Sequence, residues 1–435
     1  DDDDDDQKGA FRSEEETGHR MDECNDNVVI DQNAEKIIPR EVLGIQPGTL
    51  ADVYINNVGW PQDKIDNFHF NSRELERDII QMFAKLYGVD RIEMRGYVTN
   101  GGTEGNFSGL WWQRDYLKNE SNGNRPILLT SDQTHYSVSK AAQQLDIDGR
   151  LVKTTKTGEI DCADLSLVLD DISQKQPNRP ILVNINFGTT QTGALDDLPA
   201  VYKILVEKVE SRGVMFSIHV DAALMGAVIP CTDPFGKVNY FKDFNVNTIA
   251  ISGHKFFGSV TICGICLTTD SFLKACFSRK EVNVQYLTGL HDITPSGSRS
   301  GFNVLSLHNT LCGLYLHTNA HRLRQIVAQC YRNVDYFIAQ ITKLIPSEQI
   351  IHPKHSLTVC FTPPPSLTTM DKYSVMPVKM PLSPTTPYAG VCLLINVGPT
   401  MINHFLAEYR RDLAKMKVHN ERHADAVHNK VGLIQ

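Results

Sequence analysis

Between about residues 94 and 268 the chain alternates short apolar runs with apolar positions at helical spacing. The runs fall at 126–130, 150–154, 180–187, 215–220, 248–252 and 262–268. Runs of this length, each followed by a helical pattern, predict buried strands in a mostly parallel sheet with helices on both faces. Upstream, Leu75, Ile79, Met82, Phe83 and Leu86 recur at helical spacing behind a stretch, 71–74, that resembles a capping box; Gly88 is placed to end that helix. Downstream, 302–345 reads as helix, 357–361 and 391–397 as strands, 363–388 as a proline-rich loop and 401–416 as helix. This gives a smaller C-terminal α+β unit. The expected organisation is an acidic tail over 1–36, a helical segment over 37–93, a large α/β domain over 94–305 and a small domain over 306–435. The tail opens on six aspartates and buries too little apolar surface to offset ordering entropy, so order is expected from near Ile37.

Composition narrows the class. A net charge of -8 lacks the basic footprint of a nucleic-acid binder, and no apolar run reaches membrane-spanning length. Nothing at the start reads as a secretory signal. The ten cysteines follow no framework spacing and read as reduced thiols of a cytoplasmic protein. Cys263 and Cys266 sit in a strand pattern, which favours two packed thiols over a redox or zinc pair. His419, His423 and His428 do not share one face of their helix, so no metal site is expected there.

The chemistry concentrates at strand ends, where open α/β sheets bind ligands. Lys255, in Ser252-Gly253-His254-Lys255, follows one apolar run; Asp221, in His219-Val220-Asp221-Ala222-Ala223, ends another. A lysine that forms a Schiff base and an acid that keeps a pyridine nitrogen protonated are the two groups that pyridoxal phosphate requires of a protein. The alternatives are a surface lysine and a helix-capping aspartate. Asn100-Gly101-Gly102-Thr103 precedes a helix and suits a phosphate, with backbone N–H groups and the Thr103 hydroxyl as donors; an ordinary glycine turn fits equally. His135 offers a flat ring to stack on the pyridine or a helix cap. Thr189 offers a hydroxyl near the cofactor, or a strand-end turn, and Ala223 a small residue against one ring face. His254 serves either in proton transfer or in packing.

At these residues the chain resembles the group II amino acid decarboxylases that depend on pyridoxal phosphate, and within them the bacterial histidine decarboxylase and plant serine decarboxylase branch. The matching stretches include 98–106, 134–137, 158–161, 188–190, 193–197, 219–223, 252–255 and 297–299. The resemblance implies the aspartate-aminotransferase-like α/β fold (fold type I) and a homodimer with sites at the subunit interface. It implies that Lys255 carries the cofactor, Asp221 pairs with the pyridinium and His135 stacks on the ring. Ala223 would pack behind the ring, Gly102, Thr103 and Ser252 would hold the phosphate, and Thr189 would lie near the reacting centre. Tyr286 and Arg299 fall in a region that often approaches the neighbouring subunit's site.

The implied reaction is loss of CO₂ from an L-amino acid to give the amine. Serine and histidine are candidates; so are apolar side chains such as methionine or valine. Phe302 and segment 67–71 depart from the histidine- and serine-acting pattern, which makes them substrate-contact candidates. An aldehyde synthase, a C–C lyase and a non-catalytic cofactor-binding homologue are the rival readings.

Overall fold

The computed structural model describes residues 55–62, 71–277, 292–316, 320–378 and 387–431. The expected start of order near Ile37, and the acidic tail, lie outside them. A short strand, β1 (Asn56–Val58), precedes the helix Arg73–Leu86. The main sheet holds seven strands: β2 (Met94–Thr99), β3 (Ile127–Ser131), β4 (Asp148–Val152), β5 (Ile181–Asn186), β6 (Phe216–Asp221), β7 (Val246–Ser252) and β8 (Gly264–Thr269). Their order is β2-β8-β7-β6-β5-β3-β4. The five strands from β7 to β4 run parallel, and β8 pairs antiparallel with both β7 and β2.

Side chains alternate between the sheet's two faces, and the core divides accordingly. Ile127, Leu129, Ile181 and Val183 pack in one cluster with Leu165 and Leu169 of the helix Cys162–Lys175 and Leu198 and Leu205 of the helix Leu198–Lys208. Leu128 and Leu182 join the other cluster, with Leu110 and Leu117 of the helix Gly102–Glu120 and Val138 and Ala141 of the helix Tyr136–Gln144. Every residue of β5, β6, β7 and β8 is buried, as expected of strands covered on both faces.

Strand β9 (Ser298–Ser300) pairs antiparallel with β1. A second sheet joins β10 (Ile350–Ile351), β11 (Thr358–Phe361), β12 (Met376–Val378) and β13 (Tyr388–Cys392), all antiparallel, in the order β10-β11-β13-β12. It packs with the helices His321–Ile341 and Pro399–Val431.

Several local expectations change. Ser72 is the cap residue of the helix Arg73–Leu86, but its hydroxyl bonds Asn57 and the Gly301 carbonyl instead of the helix; Asn71 Oδ1 accepts from Arg73 N. The continuous helix read over 302–345 is interrupted. It ends at Leu311, makes a π turn over Cys312–Leu316, and resumes after Ala320, whose left-handed backbone (φ 63°) cannot lie inside a helix. The proline-rich 363–388 segment contains the helix Leu367–Lys372, capped by Ser366, because its prolines at 363–365 precede the cap, and strand β12, whose Pro377 is tolerated at the sheet's edge. The strand read at 391–397 is Tyr388–Cys392: Leu393 and Leu394 are apolar because they are buried, not because they extend the strand.

Candidate active site

The carboxyl ends of β5, β6 and β7 open onto a cavity of about 250 Å³. Its walls bring together residues spread over more than 150 positions: Gly102 and Thr103 at the start of one helix, His135 at the start of another, Thr189, Asp221, Ala223, Ser252, His254 and Lys255. Every cofactor-site residue named from the sequence is therefore on this one surface. His135 is also the cap of its helix, the second of its two sequence readings: its Nδ1 faces Ser137 Oγ at 2.7 Å and Ser137 N at 3.3 Å. Partial burial pulls the His135 imidazole below its ordinary value; Asp221 opposes this and Lys255 reinforces it.

The glycine stretch forms a cradle. A Cβ on Gly102 would stand 2.8 Å from Ser252 Oγ and 3.5 Å from the Ala223 methyl, so only glycine leaves that space open. The backbone N–H groups of a helix's first turn are unpaired and suit an anion. Asp221 Oδ1 accepts from Ala223 N at 3.1 Å, and Oδ2 accepts from Asn106 Nδ2 at 2.7 Å. His254 Nδ1 donates to the Cys263 carbonyl at 2.9 Å, which turns the ring by a fixed bond. Thr189 Oγ1 accepts from Ala194 N and meets Thr192 Oγ1, so its hydroxyl also holds its own turn. A smaller compartment joins Lys255 and Thr189 to Leu224, Thr358, Met376 and Cys392, linking the site to the second sheet.

Pyridoxal phosphate fits this donor set: an amine, a carboxylate, a flat ring and an anion cradle face one space. Among the described residues no cluster with metal-ligand character occurs. Burial raises the Cys263 thiol to about 11, against a reactive role.

Two sequence candidates fall elsewhere. Arg299 is buried away from the cavity, where its guanidinium pairs with Glu76, donates to the Gly59 carbonyl at 2.9 Å and lies 5.3 Å from the Tyr97 ring centre. Its partner is an interior carboxylate of its own chain. Phe302 is 38% exposed at the start of the helix Gly301–Leu311 and is absent from the cavity walls. Tyr286 and all but Asn71 of segment 67–71 lie outside the described residues.

Sequence reasoning gave no role to Asn106, Ser137, Asn186, Asp196 or His219. Asn186 lines the cavity and is tied to Asp196 by its backbone N–H at 2.6 Å and its amide at 3.0 Å. Burial raises the Asp196 carboxyl to about 7, although these N–H donors pull the other way. A signal for His219 was present: Phe216-Ser217-Ile218-His219-Val220-Asp221 alternates strictly, so Ser217, His219 and Asp221 share a face.

Residues 71–363, more than half of the chain, match the pyridoxal-dependent decarboxylase conserved domain. Serine decarboxylase 1 of Oryza sativa subsp. japonica is 35% identical over 291 residues, 66% of this chain and 55% of that protein. The chain thus spans little more than half of that relative. Serine decarboxylase 3 of the same plant is 30% identical over 370 residues, covering 85% of this chain and 75% of the relative. L-methionine decarboxylase from Streptomyces sp.590 has a similar fold, with a TM-score of 0.75 at 22% identity over 90% of this chain and 92% of the other.

Proposed function

The chain belongs to the pyridoxal-dependent decarboxylase family, and on that premise we propose that it removes the α-carboxylate of an L-amino acid as CO₂, leaving the amine. The observation that carries this reading is the convergence of Lys255, Asp221 and His135 on one cavity beside the Gly102 cradle.

When bound, pyridoxal phosphate supplies the electron sink for the pair released as the carboxylate departs. Lys255 would hold the cofactor covalently until the substrate amine replaces it. Asp221 would hold the proton on the pyridine nitrogen; its two oxygens are already oriented by Ala223 and Asn106. Gly102, Thr103 and Ser252 would bind the phosphate. The ring of His135 would lie against the pyridine and Ala223 behind it. His254, held through Nδ1, would move a proton through Nε2. Fixed orientation and exclusion of water are what these residues add.

The substrate we favour has an apolar or weakly polar side chain, with methionine, valine, serine and histidine as the set to try. Supporting this, Lys255 is the one charged residue among the described walls of the compartment it shares with Leu224, Met376 and Cys392. The active unit we favour is a cytoplasmic homodimer. Ile262, a wall of the cavity, and Tyr136, whose ring lies 4.4 Å from that of His135, are 62% and 68% exposed, apolar surface that a second copy would cover. No helix of the described residues is long and apolar enough to cross a membrane.

The test is a CO₂-release screen of the L-amino acids with protein and pyridoxal phosphate, with the organic product identified. CO₂ and amine in equal amounts from one of this set support the reading. An aldehyde product, or no CO₂ from any amino acid by cofactor-loaded protein, overturns it.

A further inference from the structure

Behind the cavity a file of buried polar side chains runs between the helix Gly102–Glu120 and strands β6 and β7 and ends on Asp221. Chemistry fixes its direction. The Asp221 carboxylate only accepts, so Asn106 turns its amide nitrogen toward Oδ2, 2.7 Å away. Asn106 Oδ1 also only accepts, so the His219 nitrogen facing it at 3.0 Å, Nε2, carries the ring's proton. His219 Nδ1 is then an acceptor, and the Thr248 hydroxyl donates to it at 2.7 Å. Thr248 Oγ1 in turn accepts from Gln113 Nε2. Each donor in the series points toward Asp221.

Asn106 is a branch point. The second hydrogen of its nitrogen reaches Ser137 Oγ at 2.9 Å, and the Ser137 hydroxyl donates to His135 Nδ1 at 2.7 Å. One amide therefore bears on both the orientation of Asp221 and the tautomer of His135. The arrangement is self-locking. Rotating the amide by half a turn would set Oδ1 against a carboxylate oxygen. Moving the His219 proton to Nδ1 would set two acceptors face to face. His219 is wholly buried, and burial lowers its imidazole to about 4, which keeps the ring neutral as the series requires. The helix can approach this closely because Gly109 faces the ring: a Cβ there would stand 2.5 Å from His219 Nδ1 and 2.7 Å from Thr248 Oγ1.

We propose that Asn106 is a positioning residue of the cofactor site, and that His219, Thr248 and Gln113 form a relay holding its amide in the one orientation that presents nitrogen to Asp221. This rests on the pyridoxal phosphate reading above. Asn106 is one of the cavity's walls, whereas His219, Thr248 and Gln113 are not; the relay acts through Asn106 on Asp221 and His135. Its consequence is a carboxylate that stays aimed and charge-stabilised without reorganising during turnover.

The experiment compares cofactor-loaded wild type with Asn106→Leu, Thr248→Val and Thr248→Ser. It reads the ¹⁵N chemical shift of ring-labelled pyridoxal phosphate, kcat, KM and Tm. In Asn106→Leu the shift should move toward an unprotonated ring nitrogen. Its kcat should fall about tenfold or more with KM changed less than about threefold, the loss expected when a hydrogen bond to a charged group is removed. Thr248→Val should move the same way by less, and Thr248→Ser, which keeps the hydroxyl, should restore both readings. A merely structural role would lower Tm and leave the nitrogen's shift in place. Folded Asn106→Leu with wild-type shift and kcat overturns the proposal. If that variant does not fold, the Thr248 pair decides: Val indistinguishable from Ser in shift and kcat overturns it. Wild type that takes up no pyridoxal phosphate would instead sink the functional reading, and this inference with it.

Discussion

Arg299 and Glu76 are sealed together inside the chain, 223 residues apart in sequence, with side chains 3% and 0% exposed. Glu76 also accepts from Val98 N at 2.7 Å and Asn57 Nδ2 at 3.1 Å. The pair therefore clamps β9 and β1 onto the helix Arg73–Leu86 and the end of β2.

Removing one partner of such a pair strands a charge in the interior. Arg299→Met should lower the unfolding free energy by about 3–5 kcal/mol. Arg299→Met with Glu76→Gln should recover part of the loss, because the uncompensated charge is gone. Urea denaturation measures both, and a single variant within about 1 kcal/mol of wild type would contradict a structural role for the pair.

Gly102→Ala should weaken cofactor binding, since the new methyl occupies the space beside Ser252 Oγ and Ala223. Fluorescence titration should show a Kd for pyridoxal phosphate raised about tenfold or more, with Tm of the cofactor-free protein nearly unchanged. Unchanged affinity would move the phosphate away from this cradle.

How much of this was legible follows from what each residue has to do. Lys255 and Asp221 stand out because one cofactor needs both, Asp221 at the end of one buried strand and Lys255 just past another, and their strands are short apolar runs that the eye finds. The branch at Asn106 was hidden in a helix whose apolar pattern is weak. The spacing around it was visible: Asn106, Gly109 and Gln113 recur at helical spacing, and the facing strand alternates Ser217, His219 and Asp221. Arg299 stood out only as part of a matching motif; its carboxylate partner Glu76 is 223 positions away and no local pattern links them. The hidden strand β12 and the misplaced β13 show the same limit: proline content and apolarity report burial and turns, and pairing depends on distant neighbours.

The neutral state of His219 has a pH signature. Its imidazole sits near 4 in the folded protein against an ordinary 6.5, so between these values the unfolded chain binds more protons. Its contribution to stability is complete above about 6.5 and is lost as pH falls toward 4. The difference in unfolding free energy between wild type and His219→Gln should therefore shrink on acidification, by on the order of 3 kcal/mol across that window. A difference independent of pH would mean that His219 titrates normally in the fold.

Asp221→Asn keeps the shape of the side chain and removes its charge. The effect should fall on kcat, by about a hundredfold or more, with KM changed by less than about fivefold, because the sink acts in the transition state. Steady-state kinetics on cofactor-saturated variant decides this; a near-wild-type kcat would remove Asp221 from its proposed role.

On the proposed reading, one cavity holds one molecule of pyridoxal phosphate through Lys255. Borohydride reduction of the cofactor-loaded protein, followed by digestion and peptide mass mapping, tests it most directly. The predicted result is a single pyridoxyl adduct on Lys255, absent from Lys255→Ala treated in the same way. An adduct on another lysine, or none in wild type with cofactor bound, would contradict the account.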